Sequence, residues 1–355
     1  MSDINSLLAK LVEISGSDLH IKVGQPPVFR VHGRLVRTSG PPLGESDIGK
    51  LVGQIIDDDR KKRLMEAKEL DLAYSVPGLA RFRVNVFWQK GKIGAVMRVI
   101  PVDIKSIDDL GLPEVTKKFA DLNRGLILVT GPTGSGKSTT LAAIIDRINS
   151  MRKCHIITVE DPVEFLHQDK QAAINQRELG SDTHSFAAAL KHVMRQNPDV
   201  ILVGELRDLE TISLAMTAAE TGHLVFATLH TTDAAQTIDR VVDVFPPDEH
   251  PRVRMQLANS LRGVVSQTLV PSVAGGRVAA FEVLVCHSGV RNLIREGKTH
   301  QIYNLIQTGS GYGMQLLDQN LKKLLQENVV TYDEAIAKAT NPAELDGLAP
   351  RAAAY

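Results

Sequence analysis

The segment that most constrains this chain is Gly131–Ser138, which reads Gly-Pro-Thr-Gly-Ser-Gly-Lys-Ser. It fits the pattern G-x-x-x-x-G-K-[S/T] at every position. An apolar, strand-like run over Leu126–Thr130 precedes it, and a helical pattern over Lys137–Asn149 follows it. In that order, backbone N–H groups of the loop and the positive end of the helix can surround phosphate oxygens. A chance glycine-rich turn would not require these flanks, so the segment predicts a phosphate-binding loop in an α/β domain.

The loop also predicts two cofactors, ATP and Mg²⁺. Lys137 would reach the β- and γ-phosphates, and the hydroxyl of Ser138 would bind Mg²⁺. The residues expected to hold the nucleotide are Gly131, Pro132, Thr133, Gly134, Ser135, Gly136, Lys137, Ser138 and Thr139.

Composition and charge narrow the classes of protein to which this chain can belong. The chain has 355 residues, a length that suits two domains, and 41 basic residues balance 41 acidic ones. A nucleic-acid partner is therefore not expected, because such proteins usually carry a basic excess. Two cysteines, Cys154 and Cys286, are too few for a four-cysteine zinc site. No signal peptide and no run of 18 apolar residues is found, so we expect a cytoplasmic protein that meets a membrane only through partners.

The order of patterns predicts two domains. Residues 1–100 are typical of a small α+β domain, residues 101–123 of a linker, and residues 124–355 of an α/β domain with a helical C-terminal portion. Apolar strands that alternate with helices favour a mainly parallel sheet covered on both faces. The predicted strands of the first domain are Leu19–Val23, Val28–Val31, Leu35–Thr38, Asp71–Ser75, Arg81–Trp88 and Ile93–Ile100, with a helix over residues 46–66. In the second domain we predict strands Leu126–Thr130, His155–Val159, Val200–Val203, Leu224–Leu229 and a pair near Val264–Val270 and Arg277–Val285, and helices Lys137–Asn149, Ser185–Gln196, Asp208–Thr221 and Ala234–Val242.

Two strand ends carry carboxylates. Val200–Val203 leads into Gly204 and Glu205, so a glycine occupies the place of the usual metal-holding aspartate. The strand His155–Val159 leads into an acidic turn that includes Glu164. Ligands of parallel α/β sheets bind at this edge, and an aligned carboxylate there could position a water for attack on the γ-phosphate. A surface acidic turn is the alternative interpretation.

Histidines and arginines supply further candidates. His223 and His230 flank one strand, and strand periodicity makes them a poor metal pair. A phosphate sensor or an interface contact is the functional interpretation, and satisfied structural histidines are the alternative. Arg81 and Arg83 share one face of a half-buried strand, and Arg98 lies on the next strand. They could neutralise phosphate charge, although strand arginines are usually only solvated.

Taken together, these segments resemble the secretion-ATPase superfamily, which powers type II and type IV secretion and type IV pili. Beside the phosphate-binding loop, the family's Asp box matches Ile156–Phe165, its atypical Walker B matches Val200–Asp208, and its His box matches Thr221–Asp233. The segment Gly289–Glu296 is similar to the AIRNLIRE segment of the pilus-retraction branch, from which only the first two positions depart.

The resemblance implies a PAS-like N-terminal domain, a RecA-like P-loop ATPase domain and a homohexamer. It implies a motor that hydrolyses ATP to retract type IV pili in twitching motility, at the cytoplasmic face of the inner membrane, on a pilus platform protein. Site roles carried over are Glu164 as catalytic base, Glu205 as a Mg²⁺ support through water, His230 and Thr221 at a subunit interface, and Arg81, Arg83 and Arg98 approaching the phosphates.

Other functions stay open from the sequence. An accessory retraction paralogue, a RecA-like nucleic-acid translocase and a non-hydrolysing ATP-binding subunit are the alternatives. The pilus-assembly branch is disfavoured, because it resembles a longer chain with a tetracysteine zinc site. The sequence leaves undecided whether Glu164 or Glu205 is the base. We also expect Arg291, Leu293 and Ile294 to couple ATP use to retraction.

Overall fold

A computed structural model of the chain describes residues 3–31, 33–100 and 104–346. The chain divides into two compact units, Met1–Asp103 and Ile104–Tyr355. Residues 101–103, the start of the predicted linker, lie outside the described residues.

The first unit is built on a six-stranded antiparallel sheet of order β3-β2-β1-β6-β5-β4. Its strands are β1 (Gly16–Lys22), β2 (Val28–Val31), β3 (Arg34–Arg37), β4 (Glu69–Val76), β5 (Ala80–Gln89) and β6 (Lys92–Ile100), and its helices are α1 (Ile4–Glu13), α2 (Glu45–Gly53) and α3 (Asp58–Ala67). The predicted single helix over residues 46–66 is two helices, because the chain leaves α2 after Gly53 and Asp57 caps a new start.

Alternation along β5 separates an apolar face from a charged one. Phe82, Val84 and Val86 are buried, whereas Arg83 between them is exposed. The buried face joins the apolar side of α1 in one core. This is the half-buried strand that the sequence predicted, with its arginines opposite the core.

The second unit is built on a seven-stranded sheet of order β13-β12-β7-β11-β10-β8-β9. Its strands are β7 (Gly125–Thr130), β8 (His155–Glu160), β9 (Ala173–Glu178), β10 (Val200–Val203), β11 (Leu224–Leu229), β12 (Leu261–Pro271) and β13 (Arg277–Val285). All neighbouring pairs are parallel except β12 with β13. The helices of this unit are α4 (Val115–Ala120), α5 (Lys137–Met151), α6 (Phe186–Val193), α7 (Leu209–Glu220), α8 (Ala234–Asp243), α9 (His250–Ser260), α10 (Ser288–Glu296), α11 (Ile302–Thr308), α12 (Leu317–Gln326) and α13 (Tyr332–Ile336).

Every residue of the central strands β7, β10 and β11 is buried. One face of the sheet packs on Ile212 and Met216 of α7, and the other packs on Ile144 and Ile148 of α5. A parallel sheet with both faces covered has strands that are largely apolar, and these are, apart from Thr130 in β7 and Thr228 in β11.

The linker prediction needs a correction from Ile104 onward. Residues 104–123 belong to the second unit, and Val115–Ala120 forms the helix α4. Ile107, Val115 and Phe119 are buried in the core under the parallel sheet. Pro113, Asp108 and Asp109 give residues 104–123 a composition typical of a linker, but local composition does not reveal long-range burial.

Three observations on the described residues concern membrane spans, metal sites and cysteines. None of their helices is long and apolar enough to cross a membrane. No group of three histidine, cysteine or carboxylate side chains among them is placed to hold a metal ion. Cys154 and Cys286 are both free thiols.

Candidate nucleotide-binding site

The phosphate-binding loop connects β7 to α5 at the carboxyl edge of the parallel sheet. Gly131 begins it with a φ of 142°. A Cβ at this position would lie 2.2 Å from the carbonyl oxygen of Gln267, so only glycine lets the loop lie against β12. The loop ends at Gly136, the N-cap of α5, whose positive end therefore faces the loop.

Lys137 lies across this loop. Its Nζ donates hydrogen bonds to the carbonyl oxygens of Gly131 (2.8 Å) and Pro132 (3.1 Å). Burial lowers the pKa of Lys137, although the nearby charges of Glu205 and Glu164 act to raise it. The three predicted residues, one cation and two carboxylates, are thus brought within electrostatic range of one another.

The structure adds Gln267, a residue of β12 that sequence analysis missed. It is 3 % exposed; its Nε2 donates to the carbonyl oxygen of Ser135 (2.7 Å), and its Oε1 accepts from the hydroxyl of Thr140 (2.8 Å). One side chain therefore ties the loop to the first turns of α5. Because these contacts span more than 120 positions, no local pattern could have indicated them.

The loop fits a nucleotide phosphate and Mg²⁺. The hydroxyl of Ser135 is buried, and no described residue bonds to it. Ser138 follows Lys137 in the first turn of α5. Mg²⁺ in such sites is held by one or two protein oxygens with phosphate oxygens and water, so the absence of a carboxylate cage among the described residues is compatible with it.

Gly204 occupies the place of the usual aspartate at the end of β10 and lies close to the end of β8. Its N–H donates to the carbonyl oxygen of Val159 at 2.7 Å, which draws the ends of β8 and β10 together. A Cβ at Gly204 would lie 3.2 Å from that oxygen and from the Cα of Glu160. The acidic side chain of this strand end stands one residue later, at Glu205.

Glu205 is held at both carboxylate oxygens. His230 Nε2 lies 3.0 Å from Oε1, and Arg207 donates to Oε2 at 2.7 Å. Burial acts to raise the pKa of Glu205, but the hydrogen bonds and charges of Arg207 and His230 outweigh it and lower the pKa. Glu205 is consequently an ionised, positioned carboxylate.

Glu164 is exposed on the loop after β8, between two anchored residues. The N–H of Val163 donates to Glu178 Oε2 (3.2 Å), and the carbonyl oxygen of Phe165 accepts from Gln176 (2.9 Å). Both partners lie on β9, a strand that sequence analysis did not predict because its residues are largely polar. The strand β9 thus fixes the residues on both sides of Glu164.

The two histidines of the His box lie at opposite ends of β11. His223 bonds through Nδ1 to the carbonyl oxygen of Ala218 (3.0 Å), and the Thr221 hydroxyl donates to the carbonyl oxygen of Thr217 (2.8 Å). Both contacts are made at the end of α7, which gives His223 and Thr221 a structural role within the chain, while an interface role for either residue stays a prediction. His230 alone lies beside Glu205.

The predicted arginines all lie on the antiparallel sheet. Arg83 pairs in register with Arg98, and Arg98 pairs with Asp18 of β1. Asp18 is 2 % exposed; its Oδ1 accepts from Arg98 Nε at 2.7 Å, and its Oδ2 lies 3.4 Å from Arg30 Nε. Arg81 lies two residues from Arg83 on the same side of β5. Sequence analysis missed Asp18, which orients part of this arginine face (Arg30, Arg81, Arg83 and Arg98).

The segment that is similar to AIRNLIRE, Gly289–Glu296, lies in the helix α10. Ile294 is fully buried, and Leu293 packs partly against the same core. Arg291 donates through Nε to the carbonyl oxygen of Cys286 at 3.2 Å. Ile294 is therefore a packing residue, and only Arg291 and Leu293 of the three expected coupling residues keep accessible surface.

Comparisons with known proteins agree with this geometry. Residues 1–337 match the family of type II/IV secretion system proteins. A Pseudomonas aeruginosa protein described as the type IV pilus retraction ATPase PilT is 52 % identical over 340 residues, covering 96 % of this chain and 99 % of that protein. The type IV pilus ATPase PilU of the same organism is 41 % identical, covering 97 % and 90 %. A crystal structure of the retraction motor PilT with bound ADP superposes with a TM-score of 0.92 at 43 % identity, covering 98 % of this chain and all of that one.

The chain belongs to the type II/IV secretion system protein family. The predicted family and the predicted α/β fold, a smaller N-terminal domain followed along the chain by a P-loop ATPase domain, are confirmed. The prediction of an ATPase that resembles the pilus-retraction ATPases is also confirmed. Use of a nucleotide agrees with the ADP bound in the similar structure.

Proposed function

We propose that this protein hydrolyses ATP to power retraction of type IV pili. The observation that carries the proposal is the grouping of Lys137, Glu164 and Glu205 around the phosphate-binding loop. A binding module would need the loop alone, whereas carboxylates beside it serve hydrolysis. Similarity to PilT over nearly the whole chain supports retraction as the work performed.

The geometry favours Glu164 over Glu205 as the catalytic base. Both oxygens of Glu205 are engaged, by His230 and Arg207, and its lowered pKa opposes uptake of a proton. Glu164 is exposed on a loop that is fixed on both sides. We assign it the role of orienting the attacking water and accepting its proton.

Glu205 and Ser138 are the proposed supports of Mg²⁺. The Ser138 hydroxyl would bind the ion directly, and Glu205 would hold it through water. When bound, Mg²⁺ neutralises charge on the phosphates. His230 keeps Glu205 ionised and oriented, and Thr221, at the other end of β11, takes no part in this proposal.

The arginine face is proposed to complete the site in an assembled ring. Arg207, the cation next to Glu205, is already paired with it. Neutralising charge on a transferring phosphoryl group benefits from an added arginine, which can contribute about 10³–10⁵ in rate. Arg81, Arg83 and Arg98 are candidates, and a homohexamer would let closure of each N-terminal unit follow ATP binding.

The proposed partner is a platform protein of the pilus machine at the cytoplasmic face of the inner membrane. Arg291 and Leu293 of α10 are the proposed coupling residues, because they keep accessible surface on a helix otherwise packed on the core. No nucleic-acid partner is proposed. Identity to PilT is higher than identity to PilU, which favours the principal motor over an accessory paralogue.

A deletion strain tests the proposed work. Cells that lack the protein should carry excess pili and fail to twitch, and the wild-type gene should restore motility. The matched variants are Leu293→Ala, expected to stay folded and hydrolyse ATP without restoring motility, and Asn292→Ala, an exposed neighbour expected to restore it. Cells without pili would contradict retraction and indicate assembly.

A concentration series tests the ring. Specific ATPase activity should rise with protein concentration as light scattering reports assembly. A fully active monomer would remove the hexamer from the proposal and leave the ATPase standing.

A further inference from the structure

Three arginines lie at the amino edge of the parallel sheet, at the opposite end of the strands from the phosphate-binding loop. Arg124 directly precedes β7, Arg262 is the second residue of β12, and Arg291 lies near the start of α10. We call them the edge arginines. Because β7 spans six residues, this edge lies roughly 20 Å from the loop. The edge arginines are therefore separate from the nucleotide-binding residues.

A β-bulge sets the direction of Arg262. The pairing of β12 with β7 shifts between Leu261 and Gly263, so Arg262 is an extra residue in β12. Its side chain crosses the start of β7, where a Cβ at Gly125 would lie 2.4 Å from its Cγ and 2.8 Å from its Nε. Bulges often re-aim a side chain beside a functional site. The bulge and the glycine together let this guanidinium lie at the sheet edge.

Backbone carbonyl groups hold two of the three guanidinium groups. Arg262 Nη1 donates to the carbonyl oxygen of Asn259 at 2.7 Å, and Arg291 Nε donates to that of Cys286 at 3.2 Å. The N–H of Cys286 donates to the carbonyl oxygen of Arg262 at 2.9 Å, so the two segments adjoin. A guanidinium has further N–H donors. None of the remaining nitrogen atoms of these two side chains is buried without a partner, so they are open to solvent.

The positive charge at this edge is not compensated within the described ranges. No carboxylate there forms an ion pair with an edge arginine, and the acidic groups of adjacent helices have other partners. Glu296 lies 2.8 Å from Lys298 Nζ, and Glu220 accepts from Gln256 at 3.2 Å. Burial, and then the charges of the other two edge arginines, lower the pKa of Arg262. Like charges held together in this way favour an acidic partner.

The arrangement fits a run of carboxylates on a protein. A guanidinium binds a carboxylate through two parallel N–H bonds, and the edge arginines offer three such groups on three separate chain segments. Clusters that bind lipid headgroups usually have about four to eight basic residues, more than this one. Leu293, which keeps accessible surface on α10, adds an apolar contact. We propose that the edge arginines dock an acidic segment of the pilus platform protein.

The docking site extends the proposed coupling surface of α10 to the edge of the sheet. It rests on the proposed function for the identity of the partner, whereas the acidic character of the docked segment follows from the edge arginines. Two strands join this edge to the nucleotide-binding loop, since β7 ends directly before Gly131 and β12 carries Gln267, which bonds to the loop. Rigid elements of this kind can carry coupling between two sites.

The test is binding of a fluorescently labelled, blocked hexaglutamate peptide to the full chain, measured by anisotropy. ADP and Mg²⁺ are present to fill the phosphate-binding loop, and labelled hexaglutamine is the neutral control. Hexaglutamate should bind saturably and lose affinity as ionic strength rises. Absence of saturable binding, or equal binding of hexaglutamine, overturns the proposal.

Single variants locate the peptide on the protein. Arg124→Gln and Arg291→Gln should each weaken binding about fivefold, as expected for loss of one half-exposed ion pair. Arg124 is exposed and its side chain makes no hydrogen bond to a described residue, so its variant should keep the fold. Arg195→Gln, an exposed arginine after α6, should bind as wild type. Unchanged affinity in either folded edge variant overturns the proposal.

Two further measurements separate this surface from other acceptors of negative charge. If Arg83→Gln weakens hexaglutamate binding as much as Arg124→Gln does, the peptide lies on the arginine face and the proposal is wrong. Phosphatidylglycerol vesicles that bind through Arg124 while hexaglutamate does not would indicate a membrane contact and also overturn it. The deletion strain tests retraction separately: motile cells would contradict the proposed function and leave the measured peptide binding intact.

Discussion

The two sheets of this protein present charge in different ways. In the parallel sheet, Lys137 stands in the first turn of α5, and Glu164 and Glu205 stand on loops beyond the strand ends. In the antiparallel sheet, Arg83 and Arg98 stand on the strands themselves, in register with each other. A loop residue keeps its place through anchors on either side, whereas a strand residue keeps it through the backbone ladder.

This difference teaches which variants report on charge alone. Changing a strand arginine leaves the ladder intact, so its effect is an effect of charge. Changing a loop residue can also move its neighbours, so each loop variant needs a check of local structure. The predictions below test whether charged residues of the two sheets serve the same reaction or separate roles.

The largest effect is expected at the loop. Lys137→Ala should lower ATP turnover by about 10³-fold or more, because it removes the cation that meets the phosphates. The fold should persist, since the hydrogen bonds of Nζ to described residues are to two loop carbonyl oxygens. Phosphate release and circular dichroism measure both outcomes, with exposed Lys153→Ala as control. Turnover near wild type would contradict the phosphate-binding assignment.

The next effect tests whether the strand arginines serve the same reaction. Arg83→Ala, like Arg81→Ala, should lower turnover by about 10²-fold while nucleotide affinity changes little, because the added charge matters most in the transition state. Phosphate release and a nucleotide titration give the two numbers. Arg37→Ala, exposed on β3 of the same sheet, is the control. Unchanged turnover in the Arg83 variant would leave the two sheets functionally separate.

A smaller effect is expected from the carboxylate that orients the arginine face. Asp18→Asn should cost about 1–2 kcal/mol of unfolding free energy at neutral pH, since a charged hydrogen bond is lost while both arginine heads stay partly hydrated.

The pH dependence of that cost has a fixed sign. Burial acts to raise the pKa of Asp18, but Ser17, Arg98 and Arg30 outweigh it and lower the pKa below 3.8. The stabilisation is therefore complete above pH 3.8 and is lost as the pH falls through the folded pKa. Denaturant unfolding at several pH values measures it, with exposed Asp59→Asn as control. A cost that persists at the lowest pH would indicate lost packing instead.

The smallest effect compares two histidines of one strand. His230→Ala should lower turnover up to about fivefold, because its half-exposed pair with Glu205 is worth at most about 1 kcal/mol. His223→Ala should leave turnover unchanged, since the ring of His223 bonds at the end of α7, away from Glu205. Steady-state phosphate release on both variants decides it, and equal losses would remove the distinction between the two ends of β11.

Much of the fold was predictable because its signals are local. The strands Val28–Val31, Val200–Val203, Leu224–Leu229 and Arg277–Val285 have the predicted bounds. Their apolar runs are bounded by turn residues or by changes of pattern. β9 was not predictable, since as a polar edge strand it has no alternation and exists only by pairing with β8.

The residues of the candidate site also divide into those that have a local sequence signal and those that have none. Lys137, Glu164 and Glu205 follow recognisable strand ends, and the structure brings them together. Gln267 and Asp18 carry no local signal, because their partners lie far along the chain. The distance of His223 from the site could be predicted from strand length, because the two ends of a six-residue strand lie roughly 20 Å apart.

The close approach at Gly204 also bears on how this site can change over time. An aspartate there would place its Cβ 3.2 Å from the Val159 carbonyl oxygen and the Glu160 Cα, so the backbone of β8 would have to shift by a few tenths of an ångström. Substitution at Gly204 is thus coupled to movement of β8. The acidic group of this strand end is most easily kept at Glu205.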